Sequence, residues 1–363
     1  MSVGQQIRRA RESIGLRPEE AAKHLGLNPD TLRAWEEGRE QPSFDELCDL
    51  GDLYGRSLDY FLRDVAPSAA PLRLRLREGG ADLSSEARRV LVEWEELCRQ
   101  RTELEDVSGR SRRISIPERP LGEEPRSVAE AERIRFELGQ GPVHGIRDVL
   151  EGQGVYVFEL PIRTPEFSGC SQWHDSYGPC ILANARDILG RRNFTVAHEY
   201  YHLLVHRREA HACAIDILTE TGEERAASRF AAALLMTREG LDRDLRATRE
   251  RRRLESPRDY APLATKWHVS VEALLHALKD FRLLPREKAV SLLREWASTP
   301  RLFRTRRGTA RPTRWQRRLK QLGSHYTQAA VGAYHEGHIS LSRLSQYLGI
   351  DIREAREAAE ASP

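Results

Sequence analysis

The chain has 363 residues, which at roughly 100–200 residues per domain means two or three domains. It is 39% hydrophobic and 31% charged, and its 58 Lys and Arg nearly cancel 55 Asp and Glu to leave a net charge of +3. That composition supports folded cores and excludes a uniformly basic nucleic-acid coat or an acidic tail protein.

The opening MSVGQQIRRARESIG holds no apolar run, and Phe230–Met236, the longest clean one, is far too short to span a bilayer. The five cysteines (Cys48, Cys98, Cys170, Cys180, Cys213) are widely spaced and form no CxxC pair. This fits a reduced, cytoplasmic setting and argues against a cysteine zinc ribbon.

Residues 1–64 read as a run of short helices. Ile7, Ala10 and Ile14 share one helical face, and Ala21, Ala22 and Leu25 form the next stripe, stopped by Gly26. Asn28 is a good N-cap with Pro29 at the first helical position, Leu32 and Trp35 face inward, and Gly38 ends that helix. Pro42-Ser43 opens a fourth helix carrying Phe44, Leu47 and Leu50, and Leu58, Tyr60, Phe61 and Leu62 close the unit. The text from Ile7 to Leu62, with Trp35-Glu36-x-Gly38 inside it, resembles the Cro/repressor-type (XRE) helix-turn-helix domain. The resemblance implies that Asn28–Glu37 lies in the DNA major groove, with Asn28, Thr31 and Arg33 as candidate contacts, and that the protein pairs as a homodimer on a palindrome. The local charge runs the other way: residues 1–64 hold nine cations against thirteen acids, and Asp30 sits in the recognition helix itself.

Residues 65–126 read as a linker containing one charged helix over 86–107, with Val90, Leu91, Trp94 and Leu97 on one side. Ala129–Leu138 and Ile146–Leu150 are helical, the latter ended by Gly152 and Gly154. Val155–Leu160 and Cys180–Ala183 have the β-branched and aromatic content of strands.

The strongest chemical signal is RRNFTVAHEYYHLLVH, residues 191–206, which contains His198-Glu199-Tyr200-Tyr201-His202. On a helix, positions i and i+4 share a face, so His198 and His202 can bind one zinc ion, and Glu199 is placed to act as general base on water there. Phe194, Val196 and Ala197 before the motif and Leu203, Leu204 and Val205 after it make a mostly buried helix, where two histidines without a partner would be costly. A zinc peptidase needs a third protein ligand. His206 is two turns beyond His198 on the same helix and is poorly placed. The helix at Thr221–Met236, with its acidic start, is the better source: Glu224 first, Glu223 as the alternative. Two imidazoles and one carboxylate suit zinc.

These two segments resemble the ImmA/IrrE family of zinc metallopeptidases, whose helices read FTxAHExxHxxxH and ExxANxFAAxLLMP. Phe194-Thr195-x-Ala197-His198-Glu199 with His202 matches the first, and Glu224-x-x-Ala227-Ser228-x-Phe230-Ala231-Ala232-x-Leu234-Leu235-Met236 matches the second. The resemblance covers about 127–240. It implies a zincin-like core with a small sheet packed on helices, zinc between two helices with Glu224 completing the site, and a hairpin over Gly169 to Ala185. It also implies an intracellular endopeptidase that cleaves a helix-turn-helix repressor in a stress, phage or mobile-element response. Tyr201 stands where the family often has Gly, Ser228 where it has Asn, and Thr237 where it has Pro. Tyr201 is a candidate for stabilising the transition-state oxyanion. Two other readings compete: a DNA-binding regulator whose peptidase-like domain is only a sensor, and a toxin–antitoxin component.

Residues 241–284 read as a helical extension of the peptidase core, and LATKWHVSVEALLHAL resembles the tail that follows that core in the family. An Arg-rich segment follows over 285–320. The block 282–320 holds thirteen cations against Glu287 and Glu295, interleaved with Trp296, Phe303 and Trp315, and is a candidate for nucleic-acid contact. Residues 321–363 form a small helical module that resembles the helix-turn-helix tails of peptidase-linked regulators. The expected fold is therefore α+β and mostly α-helical: an N-terminal helix-turn-helix bundle, a central zinc peptidase domain with a small sheet, and a helical C-terminal region.

Overall fold

The structure is a computed structural model that describes residues 2–56, 58–62, 75–76, 83–110, 112–164, 167–207, 211–213, 222–298 and 312–361. The fold is α+β and mostly α-helical, as expected. Five helices form the N-terminal unit: α1 (Val3–Ser13), α2 (Pro18–Leu25), α3 (Pro29–Glu37), α4 (Phe44–Tyr54) and α5 (Leu58–Leu62). Their ends are written in the sequence. Ser2 and Ser43 make capping boxes with Gln5 and Glu46, Asn28 caps α3, and Gly26 and Gly38 close α2 and α3 in the left-handed region at φ 67° and 73°. Ile7, Ala10, Ala21, Leu32, Trp35, Leu50, Tyr54 and Phe61 fill one core. Glu36, the acid of the Trp-Glu-x-Gly signature, is buried against Arg11 at 2.6 Å, and Arg11 also donates to the Leu16 carbonyl at 2.7 Å. That pair clamps α1 to α3. It also raises the Arg11 pKa, chiefly through the hydrogen bond to Glu36.

The second part is built on one sheet. The next elements are β1 (Arg75–Leu76), α6 (Ser85–Val107), α7 (Pro125–Arg135), α8 (Ile146–Glu151), β2 (Tyr156–Leu160), β3 (Gly169–His174), β4 (Gly178–Asn184), α9 (Leu189–Val205), β5 (His211–Cys213) and α10 (Gly222–Leu235). The strand order is β1-β5-β3-β4-β2. β2 runs parallel to β4, β3 and β4 form an antiparallel hairpin, and β5 pairs antiparallel with β3. Side chains alternate across the sheet, as a pleated strand requires. Val157, Ile181 and Ala183 enter the core shared with α7, α8, α9 and α10. Tyr156, Phe158, Leu160, Cys170, Cys180 and Leu182 enter a separate core on the other side.

The first layer continues through α11 (Arg238–Arg251), a 3-10 turn at Pro257–Tyr260, α12 (Ala261–Lys266), α13 (Val271–Asp280) and α14 (Arg286–Ser298), whose Leu245, Trp267, Leu274, Leu278 and Leu292 join the α9–α10 core. The second face is covered by α6 together with α15 (Arg314–Leu322), α16 (Ser324–His335), α17 (Leu341–Leu348) and α18 (Ile352–Ala361). α6 lies in the stretch expected as linker, and its apolar residues are used twice. Trp94, Leu97 and Leu104 pack under the sheet, while Val92 enters the N-terminal core. Ion pairs tie the C-terminal helices to α6: Arg318 to Glu93 at 2.9 Å and Arg343 to Glu103 at 2.7 Å.

The basic block is divided. Residues 299–311, Phe303 among them, lie outside the described residues. Trp296 and Trp315 are half-buried against the two cores, and Arg318 is engaged by Glu93, so α15 presents Arg314, Arg317 and Lys320 outward. Among the described residues, no helix is long and apolar enough to cross a membrane.

Candidate active site

α9 is buried from Thr195 to Leu204, because one side lies on the sheet and another on α10. Its approach to β3 depends on Gly169, where a Cβ would stand 2.4 Å from Thr195 Cγ2 and 2.9 Å from the Leu182 carbonyl. Within this helix His198, Glu199 and His202 are at most 1% exposed.

α10 runs against α9 and brings its first turn to the two imidazoles. Glu224 is buried, its Oε2 2.8 Å from His198 Nε2 and its Oε1 3.5 Å from His202 Nε2, and the two Nε2 atoms are 3.4 Å apart. Glu223 is exposed on the outer side of the same turn. The donor atoms of His198, His202 and Glu224 all lie within 4.8 Å of one another. Two imidazole nitrogens and a carboxylate, converging in a buried position, are the donor set that a zinc ion takes, so these residues fit the metal that the spacing suggested.

Glu199 points to the sheet. Its Oε2 accepts a hydrogen bond of 2.8 Å from Ser171 Oγ, which is itself buried on β3. Ser171 was not singled out from the sequence: 28 residues separate it from Glu199, and only the β3–α9 contact brings them together. Behind the histidines lie two more polar groups. Ser228 Oγ is 3.4 Å from His198 Nδ1, and His206 Nδ1 is 3.1 Å from His202 Nδ1.

Of the two tyrosines inside the motif, Tyr200 reaches α7 and Tyr201 packs against α10. Tyr200, fully buried, donates to Glu132 Oε2 at 2.7 Å and accepts from Arg135 at 2.8 Å, which braces α9 against α7. Burial, with Glu132 beside it, raises its pKa well above the usual phenol value. Tyr201 packs at 5.3 Å from the Phe230 ring and edge-on to His202 and His206, and burial, with the charges of Glu123, Glu124 and Glu223, raises its pKa above the usual phenol value. Those contacts pack its ring between α9 and α10. Thr237, standing where the resembled family has Pro, caps α11 through Gly240 N and donates to the Gln140 carbonyl at 2.8 Å.

In the N-terminal unit the three candidate DNA contacts fall on one end of α3, with different tasks. Asn28 Oδ1 accepts from Asp30 N at 3.0 Å and is the helix cap, Thr31 is half-exposed, and Arg33 bonds both Asp30, at 2.8 Å, and Glu19. Arg33 would have to exchange these carboxylates for a phosphate or a base edge.

Comparison with known proteins agrees with both halves. Residues 150–279 match a peptidase-family model described as the IrrE N-terminal-like domain. Residues 2–60 match a model described as a helix-turn-helix domain, which implies DNA binding. Over 62 residues, 17% of the chain, the sequence is 36% identical to the HTH-type transcriptional regulator ImmR of Bacillus subtilis (strain 168). The match spans about half of that relative, 49% of its length.

Proposed function

Because the chain joins a helix-turn-helix domain to an IrrE-like peptidase-type domain, an arrangement consistent with regulation of transcription, we propose that it is a zinc-dependent endopeptidase that acts on a helix-turn-helix repressor. The observation that carries this reading is the convergence of His198, His202 and Glu224, with Glu199 in the same helical turn. In it, His198, His202 and Glu224 hold the metal. Zinc, when bound, supplies Lewis acidity, polarising a carbonyl oxygen and lowering the pKa of water towards neutrality. Glu199 takes the proton from the attacking water and passes it to the leaving amine. Ser171 fixes one oxygen of Glu199 at 2.8 Å, so the carboxylate is held in one orientation while the proton moves. The helix of Asn28, Thr31 and Arg33 carries the DNA contact, and residues 1–64 and 127–240 divide recognition from cleavage.

Metal content of the purified chain tests this. The reading expects one zinc per chain, retained in Glu223→Gln and lost or weakened by orders of magnitude in Glu224→Gln. Equal zinc in both variants would remove Glu224 from the site, and no zinc in the wild type would remove the metallopeptidase reading.

A further inference from the structure

The mechanism above uses one face of each imidazole. The opposite nitrogens are also engaged, by side chains that are not among the three metal-ligand candidates. For Nε2 of a neutral imidazole to offer its lone pair to a cation, the ring proton must sit on Nδ1. Each Nδ1–H then needs an acceptor, because a buried ring that could turn would present the wrong nitrogen.

Each Nδ1 has a polar partner within hydrogen-bond distance. Ser228 lies one turn after Glu224 on α10, so the helix that brings the carboxylate to one side of His198 brings a hydroxyl to the other, 3.4 Å from Nδ1. His206 ends α9 one turn after His202. Its backbone N–H donates to the His202 carbonyl at 2.7 Å, which places its own Nδ1 3.1 Å from His202 Nδ1. Two Nδ1 atoms at that distance can share only one proton, so if His202 donates, His206 accepts and carries its proton on Nε2.

Resting on the zinc reading of the previous subsection, we infer that Ser228 and His206 are positioning residues for the metal, fixing the tautomer and ring angle of His198 and His202. This gives a reason for the departure from the resembled family at 228. Serine and asparagine differ in size, but both put an acceptor oxygen on a short side chain at that point of α10, and alanine does not. It also gives His206 a place behind the metal rather than on it, in keeping with its position two turns from His198.

The test is zinc affinity, measured on the full chain by competition with a chromophoric chelator at one fixed pH. Outer hydrogen-bond partners of metal ligands are worth about 10–100-fold in affinity, so Ser228→Ala and His206→Ala are each expected to bind zinc about 10–100-fold more weakly. Ser228→Asn is expected to recover wild-type affinity to within about threefold. Cobalt(II) substituted for zinc gives a second readout: its visible bands should shift in Ser228→Ala and return in Ser228→Asn. Ser228 is half-buried on a helix, so Ala keeps the fold, and melting of the metal-free variants checks this. If His206→Ala fails to fold, the Ser228 pair decides alone. Wild-type zinc affinity and an unchanged cobalt spectrum in Ser228→Ala would overturn this inference while leaving the zinc site intact. A wild type that binds no zinc would overturn the zinc reading, and this inference with it.

Discussion

Tyr200 sits between Glu199 and His202 in sequence, yet its hydroxyl serves the fold. It donates to Glu132 Oε2 at 2.7 Å, and Glu132 is fully buried, held also by Arg135 at 3.0 Å and by Arg119 at 3.5 Å. Tyr200→Phe removes this hydroxyl while keeping the ring contacts with Phe136 at 6.0 Å and Phe230 at 6.1 Å, so no cavity term is expected. A hydrogen bond to a buried charge contributes about 1.5–3 kcal/mol. Two arginines still neutralise Glu132 in the variant, which places the expected loss near the middle of that range, about 2 kcal/mol. At roughly 2–4 °C per kcal/mol for a unit of this size, Tm should fall by roughly 4–8 °C. Denaturant melts of wild type and variant supply the number, and a double-mutant cycle with Glu132→Gln tests whether the two positions couple. The reasoning fails if Tyr200→Phe melts with the wild type, or if the cycle shows additivity.

Gly169→Ala places a methyl 2.4 Å from Thr195 Cγ2 and 2.9 Å from a backbone oxygen, so β3 and α9 must part. We expect a loss of about 1–3 kcal/mol in denaturant melts. Since Ser171 is two residues along the same strand, cleavage should fall as well; wild-type stability would show that the sheet gives way easily. Glu151 gives a pH dependence. Burial pushes its carboxyl from about 4.5 up to about 7, so the folded state holds a proton that the unfolded chain has released. Stability from this group is therefore present below about pH 4.5 and is lost as pH rises to about 7, a difference of about 3 kcal/mol at 1.36 kcal/mol per unit. Melts of Glu151→Gln across pH 5–8 should lack this decline relative to wild type, and parallel profiles would contradict it.

What the sequence made legible was local. Helical stripes, N-caps and terminal glycines mark α1 to α4, and the i, i+4 spacing places His198 and His202 on one face before any fold is known. Glu224 followed because it opens the next buried helix. The long-range pairings were not legible. Ser171 meets Glu199 only through strand packing, and Tyr200 meets Glu132 across 68 residues. The second face of the sheet is a similar case. The apolar stripes of α6 and of α16 to α18 are visible as amphipathic helices, but nothing local says that they cover one side of β2 and β4. Charge counting also missed pairing: Arg33 and Arg318, counted as available cations, are held by Glu19 with Asp30 and by Glu93.

The central claim is that Glu199, beside a metal held by His198, His202 and Glu224, cuts a protein. The most direct measurement incubates the full chain with a candidate helix-turn-helix repressor and reads the products by mass spectrometry. The same reaction is run with Glu199→Gln and with a zinc chelator. The account predicts cleavage at one or a few bonds by the wild type, none with chelator, and none by Glu199→Gln although that variant keeps its zinc. Equal cleavage by wild type and Glu199→Gln, or cleavage that survives zinc removal, would contradict it.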